Sequence, residues 1–111
     1  MRGRRSRLFT DGRARPSAPS ATIPRVPRIS EFYGIVISMY HREHGVPHFH
    51  ATYAGETVVI AIETGEVIAG SVPPRALRLT GEWYGLHRDE LRLNWTRARE
   101  ATPLVRIEPL P

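Results

Sequence analysis

Four of the five histidines in this 111-residue chain fall within Tyr40-His41-Arg42-Glu43-His44-Gly45-Val46-Pro47-His48-Phe49-His50-Ala51. Imidazole changes charge near neutral pH and is the commonest metal ligand, so any chemistry the chain performs is expected to pass through this stretch. One reading makes it a metal site. His48 and His50, two apart on a strand, would turn both rings to one face and hold a divalent metal such as zinc. His44, His41 or Glu63 would complete the set. A second reading makes His48 and His50 a general acid–base pair acting on a phosphodiester, as in metal-independent ribonucleases. Chain order alone places no cluster of phosphate-binding arginines beside them. In the third reading the histidines are structural, bonded to loop backbone and packed as half-polar surface.

Other chemistries are excluded by composition. The chain has no cysteine, which removes disulfides, thiolate metal sites and a cysteine nucleophile. It has no glycine-rich phosphate loop and no serine-nucleophile elbow. A second constellation, Trp83, His87, Arg88, Asp89, Glu90, Asn94 and Trp95, lies in a helical region. Trp83, His87, Arg88 and Trp95 would suit a partner-binding surface with aromatic anchors. The competing reading, which we favour, is that two tryptophans in a small domain form its core, with His87 packed against Trp83.

The elements that must position these residues follow from periodicity. Phe32–Tyr40 alternates, with Tyr33, Ile35, Ile37 and Met39 on one face, which predicts a strand. His41–Pro47 follows as a loop. His48–Tyr53 and Glu56–Glu63 read as a hairpin turning at Ala54-Gly55, and Thr64-Gly65 as a further turn into Glu66–Ala69. On the first register Phe49 faces Ile60 and Ala51 faces Val58. Phe49, Ala51, Tyr53, Val58, Ile60 and Ile62 then share the core face, with His48 and His50 on the other. The second register sets Glu63 opposite Glu66, a carboxylate pair that needs a nearby cation. Arg75–Glu100 has helical spacing, with Ala76, Leu79, Trp83 and Leu86 in one stripe and Leu91, Trp95 and Ala98 in another. Pro74 suits a first helical turn. Gly81 and Gly85 each weaken a helix by about 1 kcal/mol, so a break is expected near Gly85–Arg88. Leu104–Ile107 would add a short strand or pack as a tail. The class is α+β: an antiparallel meander of about four strands, covered on one face by one or two C-terminal helices.

Charge divides the chain. All sixteen basic residues are arginine, and Arg2, Arg4, Arg5, Arg7, Arg13, Arg15 and Arg25 precede Val26 with Asp11 as the one acid among them. From Val26 onward nine arginines meet ten acids, so the pI near 10.7 describes the arm and not the domain. Residues 1–25 show no structural period and are expected to be disordered. As a functional arm they would touch phosphates without sequence preference, and nucleic-acid binding rests on them. The favoured reading is a gene-start artefact, with translation beginning at Val26. Residues 26–111 then form one domain. No apolar run approaches the roughly 18 residues of a membrane span, and the expected setting is the cytoplasm.

Several motifs combine. Ile29-Ser30-x-Phe32-Tyr33-Gly34-Ile35, His44-x-x-Pro47-His48-Phe49-His50-Ala51, Trp83-x-x-x-His87-Arg88-Asp89-Glu90-Leu91 and Asn94-Trp95 together resemble domain-of-unknown-function family 4160, small bacterial proteins, over about residues 26–110. Family members usually begin just before the Ile-Ser pair. Their genes often neighbour another small uncharacterised family, in an arrangement like a toxin–antitoxin module. The resemblance therefore implies a small partner protein encoded by a neighbouring gene and no established activity. Gly45-Val46, where a more proline-rich turn is common, and Gly81 depart from the pattern.

Overall fold

The computed structural model describes residues 27–111. The arginine-rich arm and the start expected at Val26 lie outside the described residues. Five strands form one antiparallel sheet in chain order: β1 (Arg28–Phe32), β2 (Ile35–Ser38), β3 (His48–Tyr53), β4 (Glu56–Ala61) and β5 (Val67–Gly70). A single helix, α1 (Pro74–Arg99), follows. The class is the expected α+β, with five strands in place of four.

The extra strand arises at Tyr33-Gly34. Both residues take positive φ, 49° and 79°, the pattern of a two-residue hairpin turn whose twist matches its strands. The chain therefore reverses where an uninterrupted strand was expected. Ile35 and Ile37 keep the predicted inward parity on β2, while Tyr33 is exposed. The β3–β4 hairpin has the predicted register, with Phe49 opposite Ile60 and Ala51 opposite Val58. Its turn residue Ala54 also lies in the left-handed region, at φ 52°.

The β4–β5 connection differs from expectation. Val58, Val59 and Ile60 pair with Gly70, Ala69 and Val67, and the Ala61 N–H donates to the Glu66 carbonyl at 2.9 Å. Strand β4 ends at Ala61, and residues 62–66 form a wider loop, so Glu63 does not face Glu66. The Tyr84 hydroxyl of α1 donates to the Ile62 carbonyl at 2.6 Å and holds this loop down. Gly65 lies against the same ring: at φ +79° a Cβ there would stand 2.8 Å from Tyr84 Cε2.

The core lies between the sheet and α1. Phe49, Ala51, Val58, Ile60 and Ile62 are buried as their parity predicts. Phe49 meets Trp83 with ring centroids 5.8 Å apart and Tyr84 at 6.2 Å. Pro74 occupies the first turn of α1, and the helix is kinked at His87 (φ −129°, ψ 23°), inside the span where a break is expected. Leu86 is 64% exposed, against its predicted place in the apolar stripe. The buried line runs instead from Trp83 to Leu91, positions i and i+8, with half-buried His87 between them at i+4. Leu104–Ile107 forms no strand but packs as a tail. The Ile107 N–H donates to the Ile29 carbonyl at 2.8 Å, and the Trp83 indole N–H donates to the Glu108 carbonyl at 2.8 Å. Buried Asn94 clamps Val105 by both its backbone groups, at 2.8 and 2.9 Å. No helix among the described residues is long and apolar enough to cross a membrane.

Candidate metal centre

Residues 39–47 join β2 to β3 and fold back over the start of β3. Two hydrogen bonds to the end of α1 set their course. The Arg42 N–H donates to the Ala98 carbonyl at 3.1 Å, and His41 Nε2 donates to the Thr102 carbonyl at 3.1 Å. Arg42 takes φ 61° to make this bend. The reversal brings Glu43 over His48 and His50. His48 Nε2 donates to Glu43 Oε1 at 2.7 Å, and His50 Nε2 donates to the same oxygen at 2.9 Å. The three groups offer ligand atoms that all lie within 4.8 Å of one another.

The side chains are sheltered without being sealed: His48 is 10% exposed, His50 16% and Glu43 31%. The His50 ring is packed edge-on by Tyr40, with centroids 4.7 Å apart. The two imidazoles lie 5.3 Å apart. His48 is the first residue of β3, at the end of the sheet, and there its ring also touches Trp95 at 5.1 Å. Strand parity alone would have kept it away from the helix. Burial pushes the Glu43 carboxyl up, but hydrogen bonds from His50 and His48 more than offset this and hold it below the ordinary carboxylate range.

The His48 ring nitrogens both face acceptors. Nδ1–H donates to the Val46 carbonyl at 2.7 Å, and Nε2 is the nitrogen turned towards Glu43. Metal-bound histidines are commonly oriented in this way, with the remote N–H on a backbone carbonyl. Two bonds of about 2.1 Å at a tetrahedral angle separate ligand atoms by roughly 3.4 Å. The nitrogen–oxygen distances of 2.7 and 2.9 Å therefore need to open by about 0.5–0.7 Å for an ion to replace the protons.

This arrangement bears unequally on the sequence expectations. His48 and His50 come together, but the carboxylate beside them is Glu43 and not Glu63. Glu63 lies in the β4–β5 loop, where Arg92 grips it with Nη2 at 2.7 Å and Nε at 2.9 Å, and Arg88 donates to its carbonyl at 2.7 Å. The wider turn carried it away from the strand position that would have put it on the histidine face. His44 is exposed and stands outside the triad, and His41 is occupied by Thr102. Trp83 is fully buried and Trp95 is 7% exposed, so both are core residues and neither presents its ring to a partner. His87 bonds to Glu90 and stacks near Trp83, with centroids 5.4 Å apart. Glu43 was the residue that spacing did not single out. The available signal was a carboxylate five positions before His48 in a loop carrying Gly45, able to turn back.

Two imidazoles and one carboxylate match the donor set of zinc and other first-row divalent ions, with coordination positions left for water or substrate. The acid–base reading fits less well. Both Nε2 atoms point at one carboxylate oxygen instead of flanking a space where a phosphodiester could sit.

The family comparison agrees with these motifs. The chain belongs to the family described as "Domain of unknown function (DUF4160)", whose model matches residues 34–96. That span contains β2 to β5, Glu43, His48, His50 and most of α1. No curated protein and no solved structure matches the chain.

Proposed function

We propose that this member of the DUF4160 family binds a divalent metal ion through Glu43 Oε1, His48 Nε2 and His50 Nε2. The observation that carries the reading is the convergence of both imidazoles on one carboxylate oxygen, at 2.7 and 2.9 Å. Zinc fits the donor set, and a zinc held by three protein ligands keeps a position for water, lowering that water's pKa to about 7. The Val46 carbonyl would hold His48 in the required tautomer, and Tyr40 would brace His50. The test is metal analysis and zinc titration of untagged protein beside the His48→Ala/His50→Ala variant. The expected result is near-equimolar zinc in the parent and none in the variant. Equal, negligible metal in both would remove the reading.

A second reading is favoured by a different observation. Leu86 and Leu93 on α1 and Val105 in the tail are 64%, 57% and 51% exposed. Such apolar side chains support a protein-binding role, and the partner would be the small product of a neighbouring gene in a toxin–antitoxin-like pair. Arg88, also exposed, would lie at the rim of that surface. Co-expression with the neighbouring gene's product and co-purification tests it, and a Leu86→Glu/Leu93→Glu variant that retains the partner would overturn this surface as the contact.

A further inference from the structure

We infer that the open hollow beside the triad is a subsite for a phosphate oxyanion, formed by Arg42, His44 and Arg99. The inference deepens the metal-centre reading, because Glu43 belongs to both walls. The hollow measures about 320 Å³ and is lined by Arg42, Glu43, His44 and Arg99. The fold builds it deliberately from distant parts of the chain: the bond from Arg42 N–H to the Ala98 carbonyl brings the loop arginine beside Arg99 in the last turn of α1.

The ordinary reason for arginines at a helix end is to neutralise its unpaired carbonyls. Here three of those carbonyls already have partners. The Thr96 carbonyl accepts from Glu100 N–H, the Ala98 carbonyl from Ala101 and Arg42 N–H, and the Arg97 carbonyl from Thr102 N–H and from the Thr102 hydroxyl. Neither Arg42 nor Arg99 makes an ion pair among the described residues, whereas Arg88 and Arg92 both do. Arg42 and Arg99 thus line a hollow with one carboxylate in it, and that carboxylate is the one a metal would neutralise. With the metal in place the hollow carries a clear excess of positive charge. Guanidinium forks match phosphate oxygens in pairs of hydrogen bonds. His44 adds a further N–H donor on the rim. Glu43, which lines the hollow and belongs to the triad, is what joins the two.

The test uses the full chain and two probes, inorganic phosphate and a uridine dinucleotide, which separate a free anion from a nucleic-acid phosphodiester. Binding is measured by calorimetry with and without one equivalent of zinc, for the parent and for Arg42→Ala/Arg99→Ala. The expected result is that the zinc-loaded parent binds at least one probe, and that the variant takes up zinc as the parent does but binds the probe at least 10-fold more weakly. Parent and variant binding both probes equally, or the zinc-loaded parent binding neither, would overturn the subsite. If the parent takes up no zinc, the metal reading fails by itself. The subsite is then judged on the metal-free protein by the same comparison: arginine-dependent binding supports it, and its absence overturns it. Far-ultraviolet circular dichroism of the variant establishes that the exposed substitutions leave the fold intact.

Discussion

The β2–β3 and β4–β5 loops leave the same end of the sheet, touch through a 2.9 Å bond from Ile62 N–H to the Pro47 carbonyl, and are both tied to α1. Each carries a glutamate surrounded by nitrogen donors, and there the likeness stops. Glu43 meets two imidazoles; Glu63 meets the guanidinium groups of Arg92 and Arg88. An imidazole can give up its proton near neutral pH and offer a lone pair instead, whereas a guanidinium stays charged and has no lone pair to offer. The first loop, with the start of β3, therefore carries the donor groups that the proposed metal site requires. The second is a permanent strut that anchors its loop to the helix. Partner chemistry separates site from support here, more than the presence of an acid or its distance from the helix.

The largest effect that could break this contrast is on metal uptake. Glu43→Ala should weaken zinc binding by more than about 100-fold, since even outer partners of metal ligands are worth about 10- to 100-fold. Glu63→Ala should leave zinc affinity unchanged. Equal effects of the two substitutions, read by competition with a chromogenic chelator, would erase the distinction. An intermediate effect is expected from Gly65→Ala. Its Cβ would crowd Tyr84 at 2.8 Å and the residue would sit at φ +79°, a combined cost of about 1–3 kcal/mol in urea unfolding. Metal binding should survive in that variant, because Glu43, His48 and His50 all lie outside the β4–β5 loop. The smallest effect concerns pH. The hydrogen bond and charge of Arg92 hold the Glu63 carboxyl below its ordinary range. Its contribution is thus present above the unfolded carboxyl's pKa of about 4.3 and lost as pH falls through the lower folded value. Glu63→Gln should be less stable than the parent at neutral pH, and the two unfolding curves should converge in acid. A gap that persists below both values would mean that Glu63 acts through packing rather than charge.

Much of the architecture was legible because alternation and a two-residue turn leave little freedom. Ala54-Gly55 determined the β3–β4 register, and with it the parity of Phe49, His48 and His50. Pro74 marked the helix start, and Gly81 and Gly85 pointed to the kink that follows them at His87. Tyr33-Gly34 was harder to see. Tyrosine is not a usual left-handed residue, and the turn interrupts an alternation that reads equally well as one strand. Glu63 was misplaced because Thr64-Gly65 resembles a short turn, whereas Tyr84, Arg88 and Arg92, all distant in sequence, pull the chain into a wider one. Glu43 and the pairing of Arg42 with Arg99 depend on the contact between the loop and the end of α1. No local pattern announces a contact of that kind. The family resemblance was carried by motifs on β1, the β2–β3 loop, β3 and α1, and the matched span, residues 34–96, supports the family while falling short of the expected 26–110.

The tail that runs beside β1 has a consequence for how the domain comes into being. Tyr33 and Pro111, 78 positions apart, are joined by a hydrogen bond from the tyrosine hydroxyl to the proline carbonyl. During synthesis the β1–β2 hairpin therefore waits for residues 104–111 before its outer rim is covered. Until they arrive, that rim is an open template for pairing with a neighbouring nascent chain. An uncovered strand edge favours aggregation in that interval, however sound the finished form.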